Sequence, residues 1–415
     1  MKKICIFAIM SAATYGVSAE ALNGNFELSR EAATAFALNN NIELKAVRMG
    51  IDAAQGRTSQ TGKMANPEFE AEFGNDMLFK NEGEYGMKFA ISQKFPLFNR
   101  LTKEKNLAEI DIKLAENEFL NVSRLLAQDV ELAYIEIVQK HAEIKIKEDM
   151  LSASKRFKET LSESAKRALI SPLDVKRAEN ECIKIELEIM QAKADLETSI
   201  SSFKILLGLK DTAKIKITDA LAELNVIPQK ITQETFESRP DWRMYDLARE
   251  SAQAQIALEK AGRYEDIGIG IFYEHAKADD EPIGKKHERA MGISISIPLP
   301  LNTKDGSISE KLAMRKQAEL RMIAAENKIR NEIKIYQNQA QQYAKILKVH
   351  RLQLGKTSDK IYAEYQKAHT EGKANVSEVF DAWQTTLEIK LAEIKLVSEQ
   401  AQAAIKYKYS LGFRR

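Results

Sequence analysis

The chain has 415 residues, and its 62 basic and 60 acidic residues nearly cancel to a formal net charge of +2. With charges so balanced and no basic face, nucleic acid is not expected as a partner. Glycine and proline are scarce, at 18 and 8 residues, which favours long helices.

The N-terminal segment 1–19 predicts a secretory signal peptide. Two lysines precede an apolar run from Ile4 to about Ala13, and small residues close the segment. The run is too short to span a bilayer, and no later segment has the length and apolarity of a transmembrane helix. An uncleaved anchor or a buried core helix is the alternative. Removal of the signal removes Cys5 and leaves Cys182 alone, so no intrachain disulfide is expected.

The first half predicts a helix, a β-hairpin and a long helical hairpin. A helical pattern covers 29–63, and two strands with alternating apolar residues follow around 69–73 and 87–91. The segment 75–84 joins these strands as a loop. From about 103 to 166 there is no proline or glycine, and apolar residues recur at steps of three, four and seven, which predicts a coiled-coil helix of roughly 95 Å. The chain turns near 168–172 and an apolar seam returns.

The second half repeats this order. A helical pattern at 232–263, strands around 267–273 and 291–297, a loop at 276–288 and a second helical turn near 371–377 are expected. Three segments match between halves at offsets of about 202 to 204 residues, which predicts a tandem duplication. They are FAISQKFPLF with MGISISIPLP, DVKRA with EVFDA, and LGL with LGF. We expect repeats at 20–225 and 226–415, joined by a linker within 210–231.

Four amphipathic strands cannot close a barrel by themselves. Each predicted strand is about as long as a tilted membrane strand. Because a membrane tolerates no unpaired sheet edge, closure requires several chains.

The duplicated order of helix, hairpin, ISQKFPLF or ISISIPLP, long helical hairpin and LLGL resembles the TolC family of outer-membrane efflux proteins, over essentially the whole mature chain. The resemblance implies a mainly α fold with a small β part. A homotrimer would form a 12-stranded barrel in outer-membrane lipid and a helical barrel in the periplasm. It further implies a passive channel, not an enzyme, without cofactors.

The segment 293–306 is similar to the CzcC-like branch of that family. This likeness implies export of heavy-metal cations with an inner-membrane resistance-nodulation-division pump and a periplasmic adaptor protein. Two alternatives stay open. The same fold exports drugs or secreted protein in other branches, and a periplasmic coiled-coil structural or adaptor protein would share the hairpins but lack the membrane strands.

By resemblance, the pore entrance lies just after the helical turns. Glu378 and Asp381 share a helix face, and acidic residues there would favour cations. The alternative is an ordinary first helical turn, where carboxylates suit the helix dipole. Asp174 is the first-half counterpart, whereas Arg177 stands where Asp381 stands. We therefore hypothesise that Arg177 pairs with Asp381 or Glu378 across helices and holds the entrance closed.

The two turns match the adaptor-docking tips of the family. The residues concerned are Leu169, Ile170, Ser171, Gly372 and Val376. Leu169, Ile170 and Val376 are expected to be exposed, although Ile170 is equally suited to capping its own hairpin. No histidine or cysteine spacing predicts a metal site, and no catalytic motif occurs. His275 and His287 flank one predicted loop and are able to meet, but solvated positions are favoured.

Overall fold

A computed structural model describes residues 25–78, 83–167, 170–220, 239–280, 284–299 and 304–412. The predicted signal peptide and the tip residues Ala168 and Leu169 lie outside these ranges. No helix among the described residues has both the length and the apolarity needed to cross a membrane.

The predicted alternation of helices, hairpins and long helical hairpins is present. In chain order the elements are β1 (Asn25–Leu28), α1 (Arg30–Asn40), α2 (Ile42–Gln60), β2 (Glu68–Asn75), β3 (Tyr85–Phe95), α3 (Arg100–Lys166), α4 (Pro172–Leu207), β4 (Lys214–Ile217), α5 (Pro240–Ala261), β5 (Ile267–Asp280), β6 (Gly284–Ser296), α6 (Asp305–His350), a π-helical turn (Arg351–Gly355), α7 (Lys356–Thr370) and α8 (Val376–Ser410). The predicted long helix is therefore confirmed as α3, a helix of 67 residues.

The LLGL motif ends α4 and fixes its contact with the first helices. Gly208 has φ 70°, and a Cβ there would lie 2.7 Å from the backbone oxygen of Asn40, so only glycine fits. Asn41 interrupts the helix predicted over 29–63. Its side-chain amide donates to the Leu206 carbonyl at 3.0 Å, and its Oδ1 accepts from the Leu44 amide at 2.9 Å. One asparagine thus starts α2 and ties it to the end of α4.

The chain forms two compact units. The first contains Met1–Lys45, Val122–Phe236 and Ile329–Arg415, and the second contains Ala46–Asn121 and Glu237–Lys328.

In the first unit, part of the predicted linker is a strand. β4 pairs in parallel with β1, from Asn25 opposite Lys214 to Leu28 opposite Ile217. The Tyr134 hydroxyl secures this pair, since it donates to the Leu28 carbonyl at 3.1 Å and accepts from the Asp219 amide at 3.2 Å. The segment 210–231, predicted as the linker between halves, thus contains a short strand that its sequence pattern did not reveal.

The helices of the first unit bury an apolar core between them. One cluster consists of Met150, Ile185, Ile189, Trp383 and Leu387. Both long helical hairpins contribute to it, so their seams face each other. Cys182 is buried nearby and unoxidised, with its sulfur 3.3 Å from the Ser154 hydroxyl.

The second unit contains an antiparallel sheet of order β2-β3-β5-β6. The hairpins of the two halves join through β3 and β5, where Ile91 lies opposite Ile271. The loop predicted at 276–288 is too long, because β5 continues to Asp280 and β6 begins at Gly284. Its charged residues suggested a solvated loop, but the backbone ladder extends through them, with Lys277 opposite His287.

Candidate functional site

The first helical hairpin turns through a short segment that ends at an N-cap. The Ser171 hydroxyl accepts from the Leu173 amide at 3.2 Å, and Pro172 occupies the first turn of α4, where its missing N–H costs nothing. Leu173 is 77% exposed, which the sequence did not predict. Ile170 is partly buried and packs inward. The first tip therefore presents Leu173 to solvent.

The second hairpin turns through a glycine and a capping box. Gly372 has φ 72°, a conformation that disfavours other residues. The Asn375 side chain accepts from the Glu378 amide at 2.9 Å, and the Glu378 carboxylate accepts from the Asn375 amide at 2.9 Å. His369 Nδ1 lies 3.0 Å from the Ala374 carbonyl oxygen and braces the turn. This tip is a closed hydrogen-bonded structure.

The two tips pack against each other through an apolar cluster, here called the tip cluster. Its buried members are Leu161, Ala178, Val376 and Phe380. The Phe157 ring contacts it edge-on, with its centroid 5.5 Å from that of Phe380. The expectation that Val376 is exposed is wrong: it is 4% exposed, because the first hairpin covers it.

Of the four charged residues predicted at the pore entrance, Asp174 and Glu378 lie in the first turns of α4 and α8, and Arg177 and Asp381 lie in the second turns. Glu378 serves as the cap just described, which is the alternative role that the sequence left open. Asp381 and Arg177 are exposed, and Asp174 is half-buried. Within the described part of one chain, Arg177 forms no ion pair with Asp381 or Glu378. The hypothesised closing pair would therefore have to join different chains.

The sheet of the second unit has one apolar face. Phe69 stacks near Phe89, with ring centroids 6.4 Å apart, and Phe73 meets the same ring edge-on at 5.6 Å. The register continues this face across the sheet to Ile271 and Ile293. These side chains are largely exposed in the single chain, Met291 by 81%. Such a broad exposed apolar surface marks a contact with lipid or protein.

The other face of the sheet is polar and predominantly acidic. Among strand residues with described side chains, it carries Glu68, Glu70, Glu72, Glu274 and Glu288, with Lys88, Lys94 and Lys286 as the basic ones. Lys94 pairs with Glu68 at 2.8 Å and Lys88 with Glu72 at 3.6 Å. Glu70 lies opposite Ala90 and lacks such a lysine. Carboxylates therefore outnumber ammonium groups on this face.

His275 and His287 do meet. Their rings stack with centroids 5.5 Å apart and an interplanar angle of 3°. Sequence spacing did not favour this contact, because the pairing of β5 and β6 through this region was not foreseen. In the part of the chain that the structure describes, no three histidine, cysteine or acidic side chains converge as a metal site.

The sequence also did not predict a buried polar cluster around Glu131. Glu131 on α3 accepts from the Tyr409 hydroxyl at 2.7 Å and from Lys408 at 2.8 Å, and Arg30 lies 3.8 Å away. Burial raises the pKa of Tyr409, and the neighbouring Glu131 carboxylate adds to this shift. The cluster joins α3 to the end of α8 and has a structural role.

Comparisons with known proteins agree with this architecture. Residues 35–209 match the model of the outer membrane efflux protein family. The chain is 20% identical over 390 residues to the cobalt-zinc-cadmium resistance protein CzcC of Cupriavidus metallidurans, a match that covers 93% of this chain and 90% of that protein.

Solved channel structures share the fold along nearly the whole chain. The crystal structure of CusC has a TM-score of 0.75 at 16% identity and covers 92% of each chain. That of the outer membrane protein VceC from Vibrio cholerae has a TM-score of 0.73 at 15% identity, over 92% of this chain and 96% of that one. The expected TolC-like fold is thereby confirmed. Residues 35–209 are therefore similar to the outer membrane efflux protein family, and nearly the whole chain has the fold of solved outer-membrane channels.

Proposed function

We propose that the protein is the outer-membrane component of a tripartite efflux system that passively conducts heavy-metal cations. A resistance-nodulation-division pump in the inner membrane and a periplasmic adaptor would deliver the cargo. The observation that carries this proposal is the acidic polar face of the sheet, because a pore lined with carboxylates favours cations. The similarity to CzcC, a cobalt-zinc-cadmium resistance protein, supports the same cargo.

A homotrimer would complete the channel. β2 and β6 are the two edges of the sheet in one chain. Backbone groups left unpaired in lipid cost several kcal/mol each, roughly, so these edges require partners. Pairing β6 of one copy with β2 of the next would unite three sheets into a 12-stranded barrel, with the apolar face toward lipid and the acidic face toward the lumen.

The tandem repeats remain part of the proposal. We infer that 20–225 and 226–415 derive from one ancestral unit. The order of helix, hairpin and helical hairpin in each half supports this, as does the LLGL end of α4 beside the LGF end of α8.

The periplasmic entrance would carry the charges of the first two turns of α4 and α8. Asp381 suits a cation-attracting ring best, since it is exposed while Glu378 caps its helix. Arg177 of one copy would approach Asp381 of another and keep the ring closed. Adaptor contact would use the tips, with Leu173 as the exposed apolar residue and Ile170, Ser171, Gly372 and Val376 shaping the surface beneath.

Ion selectivity in planar bilayers tests the pore. We expect the reversal potential across a salt gradient to show a preference for cations. Glu70→Gln should weaken this preference, because it removes the carboxylate that lacks a lysine partner. Lys88→Gln should strengthen it, because it releases Glu72 from its ion pair. An anion-selective wild-type channel, or a shift of the same sign in both variants, would contradict the proposal.

Cargo class needs a separate measurement. A strain lacking the protein should become sensitive to zinc, cobalt or cadmium, and wild-type protein should restore growth. Sensitivity confined to drugs, or loss of a secreted protein, would instead favour the alternative cargoes within the same fold.

A further inference from the structure

The apolar face of the sheet changes character at the end where β5 turns into β6. Beyond the row of Tyr273 and Met291, the same face carries a set that we call the rim patch. Its members are Tyr85, His275, Lys277, His287 and Arg289. Two rows of this patch follow the apolar region at about 7 Å per row, the spacing of alternate residues in a strand. A basic and aromatic border thus adjoins a broad apolar surface.

The rim patch is ordered by contacts among its own members. The Tyr85 hydroxyl lies 3.3 Å from Nε2 of His275, and the His275 ring stacks on that of His287. Nδ1 of His275 is shielded from solvent and has no hydrogen-bond partner among the described residues. Lys277 and Arg289 form no ion pair with another described residue. Among the residues with described side chains, the patch therefore holds two basic groups without an ion-pair partner, beside a fixed aromatic and imidazole framework.

Among the described side chains, the two faces of this end of the hairpin carry opposite net charge. Glu274 and Glu288 lie within the same stretch of β5 and β6 but on the acidic face, together with Lys286. Lys277 and Arg289 lie on the other face, beside the apolar surface. The position of these two residues matches an anionic ligand that approaches from the apolar side.

We propose that the rim patch binds the phosphate groups of a phosphorylated glycolipid in the surrounding outer leaflet, that is, lipopolysaccharide. This inference rests on the proposed barrel, which turns the apolar face toward lipid. The acyl chains lie along Phe89, Ile271 and Ile293, and the phosphates, which begin directly above those chains, meet Lys277 and Arg289. Tyr85 and the two histidines supply further N–H and O–H donors. Basic clusters bordering a membrane surface attract anionic headgroups in this way.

Binding of lipid A to the purified full-length protein in detergent tests the proposal. The probes are diphosphoryl lipid A and its dephosphorylated form with the same acyl chains, compared by native mass spectrometry. Wild-type protein should prefer the diphosphoryl form. Lys277→Gln combined with Arg289→Gln should weaken that binding by about 25-fold, from roughly fivefold per basic residue at a membrane surface. Lys286→Gln, on the opposite face of the same hairpin, should change it by less than about twofold, since that face does not meet lipid.

Equal binding of both lipids by wild-type protein would overturn the proposal, and this comparison needs no variant to fold. An equal effect of Lys286→Gln and the double variant would also overturn it. Conductance in planar bilayers is recorded on the same preparations. A conducting channel without phosphate preference refutes the lipid site alone, whereas absence of conductance in both the wild-type protein and Arg177→Ala refutes the proposed channel.

Discussion

Two leucines at one hairpin tip provide a test of how the tips are held together. Leu161 is 1% exposed and lies in the tip cluster, while Leu173 is 77% exposed. Replacing a buried leucine by alanine removes its transfer free energy and leaves a cavity, at a cost of about 2–5 kcal/mol. An exposed leucine changes stability by only about 0.5 kcal/mol or less. Leu161→Ala should therefore destabilise the tips, and Leu173→Ala should not.

Hydrogen exchange of the tip amides measures this difference. The ends of long hairpins open locally, and their exchange rates report the free energy of that opening. A loss of about 3 kcal/mol for Leu161→Ala corresponds to exchange roughly 150-fold faster in the first turns of α4 and α8. Leu173→Ala should leave these rates within a factor of about two or three. Similar acceleration by both variants would refute the reasoning, because it would mean that the tip cluster does not hold the hairpins together.

Three further predictions follow from single contacts. Asn375→Ala should destabilise α8 by about 1 kcal/mol in thermal unfolding, whereas Asn375→Asp, which still caps, should lose little; equal losses would contradict the capping role. Arg177→Ala should raise single-channel conductance in planar bilayers, and Arg177→Lys should not, since it preserves the charge; unchanged conductance for the alanine variant would count against a closing ion pair. Burial raises the pKa of Tyr134 to about 12 from its ordinary value of 10.0, so the unfolded chain releases this proton first. The melting temperature should accordingly fall as pH rises from about 10 to about 12. Tyr134→Phe should make this fall smaller. An equal fall of the melting temperature in the wild-type protein and the variant would contradict the prediction.

Local patterns predicted the elements that are long and periodic. The run from 103 to 166 contains no proline or glycine, so α3 could be foreseen almost to its ends. The apolar alternation of Ile267 to Tyr273 likewise identified β5. In both cases the signal lies in neighbouring residues, and no distant contact is needed to decide the structure.

Elements fixed by distant contacts were missed. β4 has only four residues, and its partner β1 lies about 189 positions away, so no local pattern reveals the pair. The β5–β6 loop was predicted too long because Lys277, Lys286 and His287 resemble loop residues, yet their backbones continue the ladder. At the candidate site, Val376 was taken as exposed because the packing of one hairpin on the other is not encoded in either turn.

The roles of the charged residues near the second helical turn could not be decided from the sequence. Sequence spacing placed Glu378 and Asp381 on one helix face, but both a pore ring and a helix cap suit that position. In the folded chain, the Glu378 carboxylate accepts a hydrogen bond from the backbone amide of its own N-cap, Asn375. Leu173 and the acidic line from Glu68 to Glu72 were visible in the sequence, yet their significance depends on tertiary exposure and strand register.

The π-helical turn at Arg351–Gly355 has an effect on everything that follows it along the helix. An extra residue in a helical turn rotates the later side chains by about 100° relative to an unbroken α-helix. Continuation of the α6 stripe would bring Leu354 and Ile361 inward, but both are more than two-fifths exposed, and Tyr362 packs on the core instead. A single inserted position thus changes which side chains of α7 face the core. It leaves Ile361 and Tyr365 exposed on α7, while Tyr362 continues the apolar seam of the same chain.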